Sequence, residues 1–268
     1  MRPLYAARRA AFALLVLLSA TPAAAAGCPE HFAGGTEPAL VDPRLAARAR
    51  ELCFRAYAVL HSGATRTPLW SAEHLTAERV EAARGVERTN LFHAEERLPA
   101  DERAELADYV RSGYDRGHLA PSADMPDERS QAESFSLANM VPQARKLNAG
   151  LWAAIEIAVR QRARRGGELY VVTGPIFQGT DLRALRGRVV VPTAVYKAIY
   201  DPKRGTAGAY LAANTDEAGW EAVSIARLRE LSGVDVFPFL PEEVKAAIPR
   251  LPEPRPRERR PPSERPVP

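Results

Sequence analysis

SGYDRGHLAPSADM, residues 112–125, packs Asp115, Arg116 and His118 into four positions, with Gly117 separating the arginine from the histidine. A histidine, with an intrinsic pKa of about 6.5, can take a proton at neutral pH, and a neighbouring carboxylate can orient or tune it. Arg116 adds a permanent charge and a planar fork that suits a phosphate. A base beside a phosphate clamp points to phosphodiester hydrolysis. The plain alternative is a polar turn, because Asp- and Gly-containing tetrapeptides favour turns and isolated histidines usually serve structure. That plain reading is the one taken for His31, His61, His74 and His93.

A second block, SLANMVPQARKLNAGLWAAIE at residues 136–156, decides between the two. DRGH, then the asparagine of LANMVPQ, then LN leading into a helix with a tryptophan and a glutamate, is a compound signature. It resembles the DNA/RNA non-specific endonucleases of the ββα-metal type, along a match that runs from about Tyr57 through TRTPLW to about Val236. The resemblance implies an α+β fold with a mainly antiparallel central sheet flanked by helices. It puts the histidine on a strand or loop and a metal-ligating asparagine on a long helix.

The same resemblance implies roles by position. His118 matches the general base that deprotonates the attacking water, and Asn148 the single protein ligand of a magnesium ion, with manganese as the alternative metal. Glu156 matches a helix glutamate that holds a water of the metal's shell. Arg116 and Arg66 match arginines that neutralise phosphate charge in the transition state, and Asn139 an asparagine that supports the histidine loop and the substrate side. Asp115 is assigned to positioning. The implied activity is hydrolysis of DNA and RNA, with water as nucleophile, to 5′-phosphate and 3′-hydroxyl ends. Phosphate contacts carry little base information, so sequence preference should be slight.

Magnesium favours six oxygens and gives up water reluctantly, so one side-chain oxygen plus waters and a substrate phosphate is a reasonable shell. A neutral asparagine leaves the ion's charge undiminished. One geometric tension remains: in a regular helix Asn148 and Glu156 would lie about 80° apart around the axis and about 12 Å apart along it, too far to ligate one ion directly. Either Glu156 acts through a water, or Asn148 sits at the helix start with its side chain turned back. Asn148 also suits a plain N-cap.

Outward from these blocks, Arg2, Arg8 and Arg9 precede an apolar run from Ala10 to Leu18 and a small-residue stretch, which reads as a secretory signal peptide over 1–26. The expected location is periplasmic or extracellular. The alternative is a lipid anchor through Cys28 in AAGC. Cys28 and Cys53 could close a single disulfide, and without a C-x-x-C spacing they make a poor zinc site.

The chain carries +4, but removing the three leader arginines leaves 34 basic against 33 acidic residues, so bulk charge argues for no partner. Any basic surface must be local, as in RQRARR, 160–165, for which a solvated helix end is the plain reading. The segment from Pro252 to Pro268 holds seven prolines and no apolar periodicity and reads as a disordered Pro/Arg-rich tail. Residues 27–251 then form one nuclease domain.

Inside that domain, DPRLAARARELC, PADERAELADYV, NAGLWAAIEIAVRQRARRGG and EAVSIARLRELSG read as helices. AYAVLHS, PLWSAEHLT, ELYVVTGPIF, RVVVPTAVYKAIY and AGAYLAAN read as strands. Competing functions are another metal-dependent phosphoesterase or a nucleic-acid-binding protein with a degenerate site. An inhibitor protein and a second copy of the chain are the candidate protein partners.

Overall fold

Alternating apolar residues in the stretches read as strands pair them into one antiparallel sheet. A computed structural model describes residues 27–255; the predicted leader, 1–26, and residues 256–268 of the predicted tail, 252–268, lie outside the described residues. The sheet has seven strands in the order Trp220–Val223, Thr206–Ala213, Ala194–Asp201, Glu168–Ile176, Thr67–Thr76, Ala58–Ser62 and Ala49–Cys53. Every neighbouring pair is antiparallel.

Period-two alternation divides its two faces. Val195 and Ile199 pack with Trp152, Ile155 and Val159 of the long helical segment, while Tyr196 and Ala198 pack with Ile225 and Leu228 of the Ile225–Ser232 helix on the other side. Each fully buried large apolar side chain contributes roughly 1.5–3 kcal/mol, so the two helices are held mainly by these stripes. Gly233, in the left-handed region at φ 71°, ends the Ile225–Ser232 helix.

Apart from the sheet, the motif stretch forms a strand, Tyr114–His118, paired antiparallel with Met140–Ala144. Gly117 is required there by close approach. A Cβ would lie 2.6 Å from Cβ of Gln143, which crosses over it from the partner strand.

Three expected helices are shorter or absent. In EAVSIARLRELSG, residues 221–223 belong to the edge strand paired with Thr206–Ala213, and only Ile225–Ser232 is helical. In DPRLAARARELC the Asp42 side chain does accept from the Arg44 amide, but only a short 3-10 turn, Pro43–Ala46, follows. Arg48 turns the chain at φ 58°, and Ala49–Cys53 becomes an edge strand against Ala58–Ser62. In PADERAELADYV only Leu106–Tyr109 is helical, because its acids are used across the chain. Glu102 binds Arg50, and Asp108 caps the Glu105 amide and binds Arg188.

Cys28 and Cys53 form a disulfide. With the Cys28 sulfur committed to Cys53, the alternative of a lipid anchor through that thiol is ruled out. At the other end the chain stays packed to Pro254: Leu251 is buried, and the Tyr210 hydroxyl donates to the Pro252 carbonyl at 2.7 Å. No described helix is long and apolar enough to cross a membrane.

Candidate active site

The backbone immediately after His118 is held on both sides. The Leu119 amide donates to the Asn139 carbonyl at 3.0 Å, and the Ala120 amide donates to Asn139 Oδ1 at 2.9 Å. Asn139 Nδ2 returns donors to the carbonyls of Ala120, at 2.8 Å, and Ser134, at 3.0 Å. Asn139 is fully buried, and each of these bonds is made where an unpaired group would be expensive.

His118 closes the strand with its ring between Phe92 and Phe135, at centroid distances of 5.6 and 5.2 Å. Its Nε2 is enclosed without a hydrogen-bond partner; Nδ1 is not enclosed in this way. Burial, joined by the charges of Arg88 and Arg116, lowers its pKa to about 3. The ring is therefore neutral at pH 7.

His118 lines a cavity of about 550 Å³ together with Asp115, Arg116, Asn148, Glu156 and Arg88. Arg116 stands over the Phe92 ring, 4.1 Å from its centroid, which fixes the guanidinium beside the histidine. Asp115 accepts from Arg145 Nε at 3.2 Å and from Asn148 Nδ2 at 3.0 Å. The second bond orients the asparagine: its amide nitrogen is taken by the carboxylate, and its carbonyl oxygen has no hydrogen bond among the described residues.

The tension between Asn148 and Glu156 is resolved by the backbone. Leu147–Trp152 is a π-helical turn that runs straight into the α-helix Ala153–Gly166. The wider i→i+5 turn advances each residue through a smaller angle than an α-helix does, and this swings Asn148 toward the face that carries Glu156. Both side chains reach the same cavity, and Asn148 makes no cap. Glu156 is half-buried, and burial raises its pKa against the opposing pull of Arg160, Lys197 and Arg88.

Arg66 falls elsewhere. It sits at the turn between Ala58–Ser62 and Thr67–Thr76 with φ 55°, donates from Nε to the Asp101 carbonyl at 2.8 Å, and does not line the cavity. Arg88 does line it, donates to the Ser122 hydroxyl and stands 5.1 Å from the Phe135 ring centroid. The sequence reading missed Arg88. The available signal was an arginine in RGVERTN with no helix face or turn to account for it.

RQRARR is largely consumed by pairing: Arg160 with Asp124 at 2.6 Å, Arg162 with Asp201, and Arg164 with Glu81 at 3.1 Å. The other histidines serve structure. His31 and His61 bond the backbone carbonyls of Phe54 and Glu102, His74 pairs with Glu168, and His93 bonds the Leu91 carbonyl.

A free amide oxygen and a carboxylate without a hydrogen bond among the described residues, beside fixed arginines, form a hard oxygen donor set. It suits magnesium or manganese, and the only two cysteines are in the disulfide, so no thiolate is offered to a softer metal.

A family model described as DNA/RNA non-specific endonuclease matches residues 41–243. Nuclease C1 of Cunninghamella echinulata var. echinulata is 35% identical over 166 residues, 58% of this chain and 66% of that protein. The mitochondrial nuclease EXOG of Danio rerio is 34% identical over 202 residues, 66% of this chain and 58% of that protein. The aligned segment is thus shorter than two thirds of either relative. The solved EndoG/EndoGI complex contains a chain with the same fold, at a TM-score of 0.64 and 25% identity, covering 74% of this chain and 89% of that one.

Proposed function

Because the chain belongs to the DNA/RNA non-specific endonuclease family, we propose that it is a metal-dependent nuclease that hydrolyses DNA and RNA at internal phosphodiester bonds. One observation carries the reading: a neutral histidine, fixed arginines and two uncommitted oxygen donors share one cavity. With its proton on Nε2, His118 offers the Nδ1 lone pair to a water and takes that water's proton. Arg116 and Arg88 hold the phosphate and balance the charge that builds on it; Arg88 takes the role first given to Arg66. Asn139 keeps the backbone behind the base from moving, and Asp115 keeps the Asn148 oxygen turned inward.

Asn148 would hold a divalent cation directly and Glu156 through a water of its shell, with magnesium our first choice and manganese the alternative. When bound, such an ion stabilises negative charge on the phosphate and on the departing oxygen. Water as the nucleophile requires no ribose 2′-hydroxyl, so DNA and RNA should both be cut, leaving 5′-phosphate and 3′-hydroxyl ends. Export is our reading of residues 1–26, and the Cys28–Cys53 disulfide supports it, since such bonds persist in oxidising compartments. The inhibitor in the EndoG/EndoGI complex makes an inhibitor protein a reasonable partner class here.

The test digests supercoiled plasmid, linear DNA and RNA side by side, with magnesium and with EDTA. Cleavage of all three with magnesium and none with EDTA is expected. His118→Ala should lose at least about 100-fold in rate while keeping its fold and DNA binding. A folded His118→Ala protein that digests DNA at the wild-type rate removes His118 as the base.

A further inference from the structure

Lys197 lies at the centre of the seven-stranded sheet and is only 1% exposed. A lysine is among the residues least often buried, and an apolar side chain of similar length would fill this position without the desolvation penalty. Its neighbours explain what the charge does. The strand register sets Lys197 opposite Thr173, and its Nζ donates to Thr173 Oγ1 at 2.6 Å and to the Leu119 carbonyl at 3.2 Å.

Leu119 is the residue directly after His118. Asn139 takes the Leu119 amide and both backbone groups of Ala120; Lys197 takes the remaining group, the Leu119 carbonyl. The same Nζ stands 6.0 Å from the ring centroid of Trp152, in the π-helical turn that carries Asn148. Glu73, 2% exposed on Thr67–Thr76, two strands away across the sheet, places a buried carboxyl group in the field of the ammonium; burial raises its pKa, and neither of its oxygens has a hydrogen-bond partner among the described residues.

We infer that Lys197 is a positioning residue that ties the sheet to both halves of the active site, holding His118 through the Leu119 carbonyl and bracing the turn of Asn148 through Trp152. The inference rests on the nuclease reading for its kinetic consequence, but the contact it describes is independent of activity. A charged donor makes a stronger bond to a carbonyl than a neutral one, which gives a physical reason to keep an ammonium here.

The test compares Lys197→Met with the wild-type full chain. The expected result is a folded protein whose kcat for plasmid falls at least about tenfold while KM stays within about threefold, because the arginines that contact substrate are untouched while His118 and the Asn148 turn lose their support. The His118 ring signals in a ¹H–¹⁵N spectrum recorded without nucleic acid should move in Lys197→Met. If Lys197→Met does not fold, Thr173→Val and Thr173→Ser take its place. Val removes the second anchor of the ammonium at equal volume and should lower kcat and move the His118 signals. Ser keeps the hydroxyl and should do neither.

A folded Lys197→Met protein with kcat within twofold of wild type and an unmoved His118 ring overturns the inference. So does a Thr173→Val protein indistinguishable from Thr173→Ser. If the wild-type chain cuts no nucleic acid, the nuclease reading fails, and the ring signals still decide whether Lys197 positions His118.

Discussion

His118 is poised by its surroundings to stay neutral. Burial and the two arginines hold its pKa near 3, against about 6.5 in the unfolded chain. Between those values the unfolded chain binds a proton that the folded chain does not. This group's contribution to stability is therefore fully present above about pH 6.5 and declines as pH falls toward 3. In the proposed mechanism, His118 then stays available as a base well below neutrality. Glu156 behaves oppositely: burial raises its carboxyl, so in the proposed mechanism it is the group whose protonation would loosen the cation site as pH falls. The acid limb of kcat/KM should then move to lower pH as magnesium is raised, because proton and metal compete for the same carboxylate. Steady-state rates at several magnesium concentrations between about pH 4 and 8 check this. An acid limb fixed near pH 6.5 at every concentration would mean that His118 titrates normally and is not enclosed.

The π-helical turn Leu147–Trp152 is what lets one continuous helical segment present Asn148 and Glu156 to a single cavity. Deleting Ala149 alone would restore a regular α-helix with Asn148 still on the Glu156 face, so the telling variant lacks both Ala149 and Gly150, which leaves Asn148 six residues before Glu156 and about 120° away around the axis. The Trp152, Ile155 and Val159 stripe lies beyond the deletion and would still pack on the sheet. The variant should keep wild-type helix content by circular dichroism, yet need at least about tenfold more magnesium for half-maximal cleavage. Unchanged magnesium dependence would show that the turn is incidental. This element was not legible in the sequence: NAGLWAAIE carries an ordinary helical period, and an i→i+5 turn leaves no compositional trace. What was legible was chemistry concentrated in short blocks. Asp115, Arg116, His118, Asn139, Asn148 and Glu156 lie in two stretches whose spacing survives folding, and the structure gathers all but Asn139 around one cavity, with Asn139 bonded directly behind it. Arg66 and Arg88 show the limit. Both are single arginines in irregular segments, and which one reaches the site depends on a loop path that local pattern does not encode. ARELC failed for the same reason, because its strand exists only through pairing with Ala58–Ser62. Lys197 was visible as the one charge inside VVVPTAVYKAIY beyond its first residue, but its target, the Leu119 carbonyl, is 78 residues away.

At the scale of the whole molecule, net charge is a poor guide to how nucleic acid is held. The chain carries 37 basic and 33 acidic residues, and much of its arginine is paired with acid, both on the surface and beneath it. The basic run RQRARR shows the effect, since three of its arginines face carboxylates across the fold. Three arginines line the cavity itself: Arg88, Arg116 and Arg145. Arg145 is committed to Asp115 on one side but is 70% exposed, free to reach a phosphate with the rest of its fork. If these three dominate, about three counterions are released on binding, and affinity should fall with salt at a log–log slope of about −2.7, or roughly 40-fold between 50 and 200 mM salt. Arg145→Ala should reduce the slope by about one unit, whereas Arg164→Ala, at the far end of the basic run, should leave it unchanged. Binding to a DNA duplex measured in EDTA, where no cleavage intervenes, gives the slope directly. A slope near −6 that flattens in Arg164→Ala would transfer the nucleic-acid surface from the cavity mouth to the helix end.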